Sequence, residues 1–222
     1  MPPIRCAIFD FGNTLFAHAS LSATIAARAV GLGVALSTAK AESIAREINT
    51  AAHTTEELKY PRDLDSAVWM QRWEVLYGLA DKSVAGLGHA LLEDMHDPMT
   101  WIPFSDALTT LQQIKAAGIK VGVISNTGWD VRTAFVAHGL DQSVDHFVLS
   151  YEVGCTKPDP RIFHTACAAL DVEPGEVLMV GDDPRADSGA VAAGLRVLLL
   201  PAVPIGTDNG VGCVADLARA RP

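Results

Sequence analysis

Two kinds of hydrophobic pattern divide the chain. Short apolar runs closed by polar turns predict buried strands, and the first of them is Ile4–Phe9. From about Ala17 to Thr100 the apolar positions follow helical spacing, which predicts four helices. Beyond Trp101 four further apolar runs alternate with helical patterns. This alternation predicts a parallel sheet covered by helices on both faces.

The helical segment lies between the first predicted strand and the rest of the sheet. We therefore predict an α/β core domain made of residues 1–16 plus 101–222, with residues 17–100 inserted as a helical cap domain. Ser37 is expected to cap the second cap helix, and Ser105 the first helix after the insert. Trp69 and Trp73 lie on a wide apolar stripe, which favours the interior of the cap, with contact to the pocket as the alternative.

Composition and charge narrow the class of protein. The 222 residues are 49% hydrophobic and carry a formal net charge of -9, and no run of lysine or arginine appears. Nucleic acid and anionic membrane are therefore not expected as partners. No apolar run approaches the length that spans a bilayer, and the four cysteines lack metal-ligand spacing. We expect a cytoplasmic protein, either a monomer or a homodimer.

Polar side chains collect where the predicted strands end. They are Asp10 after the first strand, Ser125, Asn126 and Thr127 after the second, Lys157 after the third, and Asp182, Asp183 and Asp187 after the fourth. The carboxyl ends of parallel strands form the ligand crevice of an open sheet, so we expect these side chains to converge. Clustered carboxylates require a cation such as Mg²⁺, whereas a lysine and turn amides suit a phosphoryl group.

Four motifs together identify a resemblance to a known family. "FDFGNTL", "VISNT", "KPDPRIF" and "VGDDPRADSGAVAAG" occur in this order across the predicted core. The chain resembles the haloacid dehalogenase superfamily of hydrolases, in its phosphatase-like branch with an α-helical cap. The resemblance implies a doubly wound, Rossmann-like sheet. It also implies a Mg²⁺-dependent phosphatase that forms an aspartyl-phosphate and acts on a small phosphorylated metabolite.

The same resemblance implies a role for each motif residue. Asp10 would be the nucleophile and a Mg²⁺ ligand, together with Asp182 and the backbone carbonyl of Gly12. Asp183 and Asp187 would lie around the direct ligands and would act on the metal directly or through water and hydrogen bonds. The remaining residues would hold the phosphoryl group: Ser125, Asn126, Thr127 and Lys157, of which Ser125 and Lys157 would also act in catalysis.

Gly12 departs from the family pattern. Relatives with an aspartate there use it to protonate the leaving group and then to activate water. Three explanations are open. The first is that a substitute acts: a cap residue, His18, or a water held by Asn13 or Asn126. The second is that the substrate has a good leaving group, as in a glycosyl or acyl phosphate. The third is that activity is weak or absent.

Two other functions compete with a phosphatase. A 2-haloacid dehalogenase of the superfamily also uses an aspartate nucleophile, but it needs no metal. Such enzymes typically have serine and asparagine in place of the acidic "GDD" group and an aromatic residue near the position of Gly12, and this chain has neither feature. A binding protein on the same scaffold would explain Gly12, but the presence of Asp10, Lys157 and Asp182 counts against it.

Overall fold

The structure is a computed structural model, and it describes residues 2–219. The strands are β1 (Cys6–Phe9), β2 (Phe16–His18), β3 (Trp101–Pro103), β4 (Lys120–Ser125), β5 (His146–Leu149), β6 (Val177–Gly181) and β7 (Arg196–Leu199). The helices are α1 (Leu21–Gly31), α2 (Thr38–Ala52), α3 (Ser66–Tyr77), α4 (Leu87–His96), α5 (Ala107–Ala116), α6 (Arg132–Ala137), α7 (Ser150–Val153), α8 (Pro160–Ala169) and α9 (Cys213–Arg219). Short 3₁₀ helices include Arg62–Leu64 in the cap segment and Asp187–Val191 after β6.

The central sheet is parallel, with the strand order β5-β4-β1-β6-β7. The strand β1 lies in the middle, where Phe9 pairs with Val123 of β4 and with Val180 of β6. Ala7 and Phe9 belong to the hydrophobic cluster on one face, and Cys6 and Ile8 to the cluster on the other. This alternation buries β1 on both sides, as expected for a doubly wound α/β fold. The predicted fold class is confirmed.

Helices α1 to α4 form a separate hydrophobic cluster that includes Ile25, Ile48 and Leu87. The ion pair between Arg28 of α1 and Asp94 of α4 links two of these helices. The chain leaves and re-enters the core through β2 and β3, which pair antiparallel and place His18 opposite Trp101. The predicted boundaries at residues 16/17 and 100/101 fall at this strand pair and stay a prediction.

Several local predictions differ from the structure. Ser37 does cap α2, where its hydroxyl accepts a hydrogen bond from the backbone N–H of Lys40. The predicted Ser105 cap is wrong, because α5 begins after Asp106 and has no side-chain cap. The helix predicted over 187–194 is a 3₁₀ helix that ends at Val191. No helix within residues 2–219 is long and apolar enough to cross a membrane.

Candidate active site

Asp10 stands at the carboxyl end of β1. Its backbone N–H donates to the carbonyl of Val180 at 2.8 Å, which continues the ladder to β6. Its carboxylate oxygen Oδ1 accepts a hydrogen bond of 2.7 Å from the backbone N–H of Phe11. Only 14% of the side chain is exposed. The sheet therefore fixes the position of this carboxylate at the opening of the crevice.

Lys157 supplies the positive charge of the site. Its ammonium group lies 2.8 Å from Asp10 Oδ1 and 2.6 Å from Asp187 Oδ1, and its side chain is almost completely buried. Burial lowers the pKa of Lys157, but the two carboxylates outweigh this effect, so the net shift is upward. The side-chain amide of Asn126 holds the backbone of Lys157, donating to its carbonyl and accepting from its N–H.

Three carboxylates meet beside this lysine. Oxygen atoms of Asp10, Asp182 and Asp187 all lie within 4.8 Å of one another. Burial raises the pKa of Asp10 to about 6, although Lys157 opposes the shift. Burial likewise raises the pKa of Asp182, and a hydrogen bond from Asn13 opposes it. Three acids beside one lysine leave an excess of negative charge in a shielded site.

The donor set of this cluster fits a hard divalent cation. Its ligand atoms are carboxylate oxygens, which Mg²⁺ prefers, and the upward pKa shifts are the signature of carboxylates without enough positive charge nearby. Gly181 makes the crowding possible. A Cβ atom there would lie 2.0 Å from Oδ2 of Asp187, so only glycine lets that carboxylate pack against the end of β6.

Asp183 and Asp187 shape the loop that follows β6. Asp187 is completely buried, and its Oδ2 accepts a hydrogen bond from the backbone N–H of Asp183. The carboxylate of Asp183 accepts a hydrogen bond from the backbone N–H of Arg185, which closes the turn. Asp187 thus joins the carboxylate cluster, while the Asp183 side chain binds its own loop.

The loop after β4 forms another wall of the same pocket. Ser125, Asn126 and Thr127 all line the pocket, together with Asp10, Lys157 and Asp182. The hydroxyl of Thr127 donates to the carbonyl of Trp129 and accepts from its N–H, so this side chain holds the turn. Ser125 is buried at the pocket wall. The structure therefore brings the predicted phosphoryl-binding residues to the nucleophile.

A residue from the C-terminal region supports the nucleophile loop. The Asn209 side chain is buried and donates hydrogen bonds to the carbonyls of Asn13 and Thr14, at 3.3 and 2.9 Å. Asn13 itself has a left-handed backbone with φ of 53°. We did not identify Asn209 from the sequence, because its stretch carries no hydrophobic periodicity and no motif that links it to residue 13.

Gly12 lies in the pocket wall with free space beside it. A Cβ atom at this position would meet the ring of Trp101 at 3.9 Å, which is an ordinary contact. Neither the backbone nor a close neighbour therefore requires glycine here. Gly12 itself supplies no proton donor to the pocket.

His18 lies away from the Asp10 pocket. Its Nδ1 is 3.0 Å from the carbonyl of Ala19, and its ring packs edge-on against Trp101. It lines a neighbouring cavity of about 210 Å³ that shares Trp73, Met95 and Trp101 with the Asp10 pocket. Trp101 thus stands between His18 and Gly12. The role of His18 as a substitute acid or base stays a prediction.

Aromatic residues form part of the lining of the pocket that contains Asp10. The pocket encloses about 470 Å³ and is lined by all four tryptophans of the chain, which are Trp69, Trp73, Trp101 and Trp129. Trp69 and Trp73 both line this pocket, which is the less favoured alternative from the sequence, and Trp73 also packs against the hydrophobic cluster of the cap. Trp69 packs directly on Gly128, where a Cβ atom would lie 2.3 Å from the Cβ of the tryptophan. Gly128 therefore permits close contact between cap and core.

Comparison with known proteins agrees with this geometry. The family model for haloacid dehalogenase-like hydrolases matches residues 4–194, so the chain belongs to that family. Mouse haloacid dehalogenase-like hydrolase domain-containing protein 3 is 34% identical over 127 residues, which cover 56% of this chain and 51% of that protein. The chain thus spans about half the length of this relative.

Relatives with two different activities are similar in sequence to parts of this chain. Phosphoserine phosphatase of Thermus thermophilus is 36% identical over 97 residues, covering 43% of this chain and 39% of that enzyme. (S)-2-haloacid dehalogenase 1 of a Pseudomonas species is 28% identical over 209 residues, covering 89% of this chain and 85% of that enzyme. The solved L-2-haloacid dehalogenase of Xanthobacter autotrophicus has the same fold, with a TM-score of 0.68, 18% identity, and coverage of 99% of this chain and 100% of that chain.

Proposed function

We propose that this hydrolase is a Mg²⁺-dependent phosphatase that acts on a small phosphorylated metabolite through an aspartyl-phosphate on Asp10. The observation that supports it best is the carboxylate cluster of Asp10, Asp182 and Asp187 around the ammonium group of Lys157. A metal-independent dehalogenase also needs a nucleophilic aspartate, but its reaction does not require a group of carboxylates that can hold a cation.

The proposed reaction has two steps. A carboxylate oxygen of Asp10 attacks phosphorus, and the bond from phosphorus to the ester oxygen breaks with its electrons on the leaving group. Water then attacks phosphorus of the aspartyl-phosphate while a general base takes its proton, and the bond from phosphorus to the Asp10 oxygen breaks. This releases inorganic phosphate and restores the Asp10 carboxylate. Lys157 reduces the repulsion between the carboxylate and the phosphoryl group, and Ser125 with the amides of its loop holds the phosphoryl oxygens.

Asp10, Asp182 and the backbone carbonyl of Gly12 would hold Mg²⁺, with Asp183 and Asp187 arranging the loop behind them. The cation would supply charge neutralisation on the phosphoryl oxygens. Asp187 would also keep Lys157 in place through the ion pair of 2.6 Å. Asn126 holds the backbone of Lys157 from the opposite side, so in this proposal it positions the lysine.

Asp63 is the cap residue that we propose for the proton transfer that Gly12 cannot perform. It lines the same pocket as Asp10 and Gly12. Its carbonyl accepts a hydrogen bond from the hydroxyl of Ser150, which also contacts the backbone of Thr127, so its main chain is tied to the phosphoryl-binding loop. Burial raises the pKa of the Asp63 carboxyl, which favours the protonated form that a general acid needs.

Hydrolysis of p-nitrophenyl phosphate with and without Mg²⁺ tests the phosphatase proposal. We expect turnover that depends on the metal, and we expect Asp10→Asn to reduce it at least about 10³-fold, because no carboxylate remains to attack. Asp141→Asn, a half-buried aspartate outside the pocket, is the control and should leave turnover unchanged. A folded wild-type protein that hydrolyses no phosphate monoester would contradict the proposal.

Leaving-group dependence tests the role of Asp63. Asp63→Asn should slow hydrolysis of alkyl phosphates by about 10²- to 10⁴-fold and change p-nitrophenyl phosphate much less, since nitrophenolate leaves without protonation. His18→Gln is the matched comparison from the neighbouring cavity. If His18→Gln selectively slows the hydrolysis of alkyl phosphates and Asp63→Asn does not, His18 is the proton donor instead of Asp63.

A 2-haloacid dehalogenase is the second candidate, because Gly12 provides no acid and the dehalogenase relative covers most of the chain. In that reaction Asp10 would attack the carbon that bears the halogen, and halide would leave without a proton. Chloride release from 2-chloropropionate in the presence of a chelator would support this function. The same assay with no chloride release, alongside Mg²⁺-dependent phosphate release, would exclude it.

A further inference from the structure

The cap contributes a cation to the pocket that the proposed chemistry does not use. Arg62 lies in the 3₁₀ turn Arg62–Leu64 and lines the pocket that contains Asp10 and Lys157. Its Nη2 donates to the carbonyl of Ala52 at 3.1 Å, and its guanidinium lies 5.2 Å from the ring centre of Trp73. These contacts fix the guanidinium in the aromatic wall.

One nitrogen of this guanidinium is buried without a hydrogen bond. Among residues 2–219, Nη1 of Arg62 is one of three buried side-chain polar atoms that lack a partner. Its nearest carboxylate oxygen is Oε1 of Glu57 at 3.7 Å, which is beyond hydrogen-bond distance. A buried donor of this kind costs free energy unless an acceptor binds it, so the Arg62 guanidinium retains capacity for a further hydrogen bond.

Glu57 is already neutralised by a different arginine. Arg72 donates to both of its carboxylate oxygens, from Nε at 3.1 Å and from Nη2 at 2.5 Å. Two guanidinium groups, of Arg62 and Arg72, therefore lie beside the one buried carboxylate of Glu57. These three side chains together carry one excess positive charge. Asp63 also lines the pocket, and the charge of Arg62 opposes the rise of its pKa that burial causes. The two side chains form no ion pair within 4.0 Å in the part of the chain that the structure describes, so Asp63 does not hold the guanidinium.

We propose that Arg62 binds a second anionic group of the substrate, a carboxylate or a second phosphate, in the same pocket that holds the phosphoryl group at Asp10. The substrate class is then a phosphate monoester of a small acid. This inference rests on the proposed phosphatase function, because that function places the first phosphoryl group at Asp10 and Lys157. Arginine suits this task because its N–H groups match the paired oxygens of a carboxylate or phosphate.

The tryptophans allow binding to be measured without turnover. All four line the pocket, so their fluorescence reports occupancy by any ligand. The probes are alkyl phosphates of two to five carbons, the same chains ending in a carboxylate, and the same chains ending in a second phosphate. Comparing the last two sets identifies which anion Arg62 prefers. Affinities are measured by fluorescence, and kcat/KM by phosphate release.

We expect the best anionic probe to bind wild type about 10- to 100-fold more tightly than the alkyl phosphate of the same length, the range of a charged hydrogen bond. Arg62→Met should remove this preference while leaving binding of the plain alkyl phosphates within a few-fold. Arg62→Lys, which keeps the charge, should restore part of it. Arg46→Met removes the same charge from an exposed site in α2 and should keep the preference.

Two outcomes would overturn the inference: no preference for the anionic probes in wild type, or a preference that survives in Arg62→Met. If Arg62→Met fails to fold, two measurements still test the inference. These are the preference of wild type for the anionic probes and the weakening of that preference in Arg62→Lys. The proposed function fails separately, when wild type binds the probes by fluorescence but releases no phosphate from any of them with Mg²⁺ present.

Discussion

The floor and the wall of the pocket are built from different chemistry. The floor consists of charged groups at the ends of parallel strands, where Asp10, Asp182 and Lys157 are fixed by the sheet and by buried ion pairs. The wall consists of tryptophans and Arg62 from the cap and from the loops beside it. We infer that the floor determines the reaction and the wall selects the substrate. Substitutions in the two regions should therefore differ in the size and the kind of their effects.

The largest expected effect on stability comes from the floor. Lys157→Met would leave Asp10 and Asp187 buried without their shared cation, which should lower the free energy of unfolding by about 3–5 kcal/mol. Urea denaturation without metal measures this loss. Lys115→Met is the matched control, because Lys115 makes an ion pair of the same 2.6 Å length with Asp145 at a more exposed site. That substitution should cost at most about 1 kcal/mol. Equal losses would contradict the difference between buried and exposed pairs.

Ionisation of Asp10 should lower the stability of the folded protein when no metal is bound. Its pKa is about 6 in the folded protein against an ordinary value of 3.8, so the folded state binds the proton more tightly. The cost of ionising Asp10 is absent below pH 3.8, grows between these two values, and is complete above about pH 6. At pH 7.5 Asp10→Asn should therefore be more stable than wild type by up to about 3 kcal/mol.

Thermal unfolding of both proteins across this pH range, in the presence of a chelator, measures the effect. The difference should shrink as the pH falls below 6, and Mg²⁺ should stabilise wild type more than Asp10→Asn. An Asp10→Asn variant that is less stable than wild type at pH 7.5 would show that Lys157 outweighs the cost of burial.

The contact between floor and wall should depend on Gly128. Gly128→Ala would place a methyl group in steric conflict with the Cβ, Cγ and Cδ1 atoms of Trp69 and should cost about 1–3 kcal/mol unless the cap moves. Because the cap carries the selecting wall, we expect KM to rise more than kcat falls. Gly31→Ala, where a Cβ atom meets nothing within 4 Å, is the control and should be nearly neutral. Unchanged KM and stability in Gly128→Ala would indicate that the two regions do not depend on this contact.

A smaller effect is expected at Asn209, which supports the floor from outside the pocket. Asn209→Ala would leave the carbonyls of Asn13 and Thr14 without these hydrogen bonds and should cost about 1–2 kcal/mol. It should lower kcat without changing the preference for anionic probes. Asn49→Ala, a residue of α2 outside the Asp10 pocket, is the control for removing an amide. A change in substrate preference in Asn209→Ala would contradict its assignment to the floor.

The floor could be predicted from the sequence because strand ends carry local signals. Asp10, Ser125 and Asp182 each follow an apolar run, and parallel strands bring such ends together. The wall could not be predicted in the same way. Trp69 has the spacing of an interior helix residue, and nothing local indicates that it reaches Gly128 in another part of the chain. The unpartnered nitrogen of Arg62 likewise depends on how Arg72 binds Glu57, which only the folded cap determines.

The covalent state of Asp10 during turnover tests the central proposal most directly. Wild type is mixed with a phosphate monoester and Mg²⁺, quenched in acid within the first turnover, digested, and analysed by peptide mass spectrometry. We predict one phosphoryl group on the peptide that contains Asp10, and none in Asp10→Asn or without Mg²⁺. Turnover of the same substrate with Asp10 unmodified, or with Asp10→Asn as active as wild type, would contradict the assignment of Asp10 as the nucleophile.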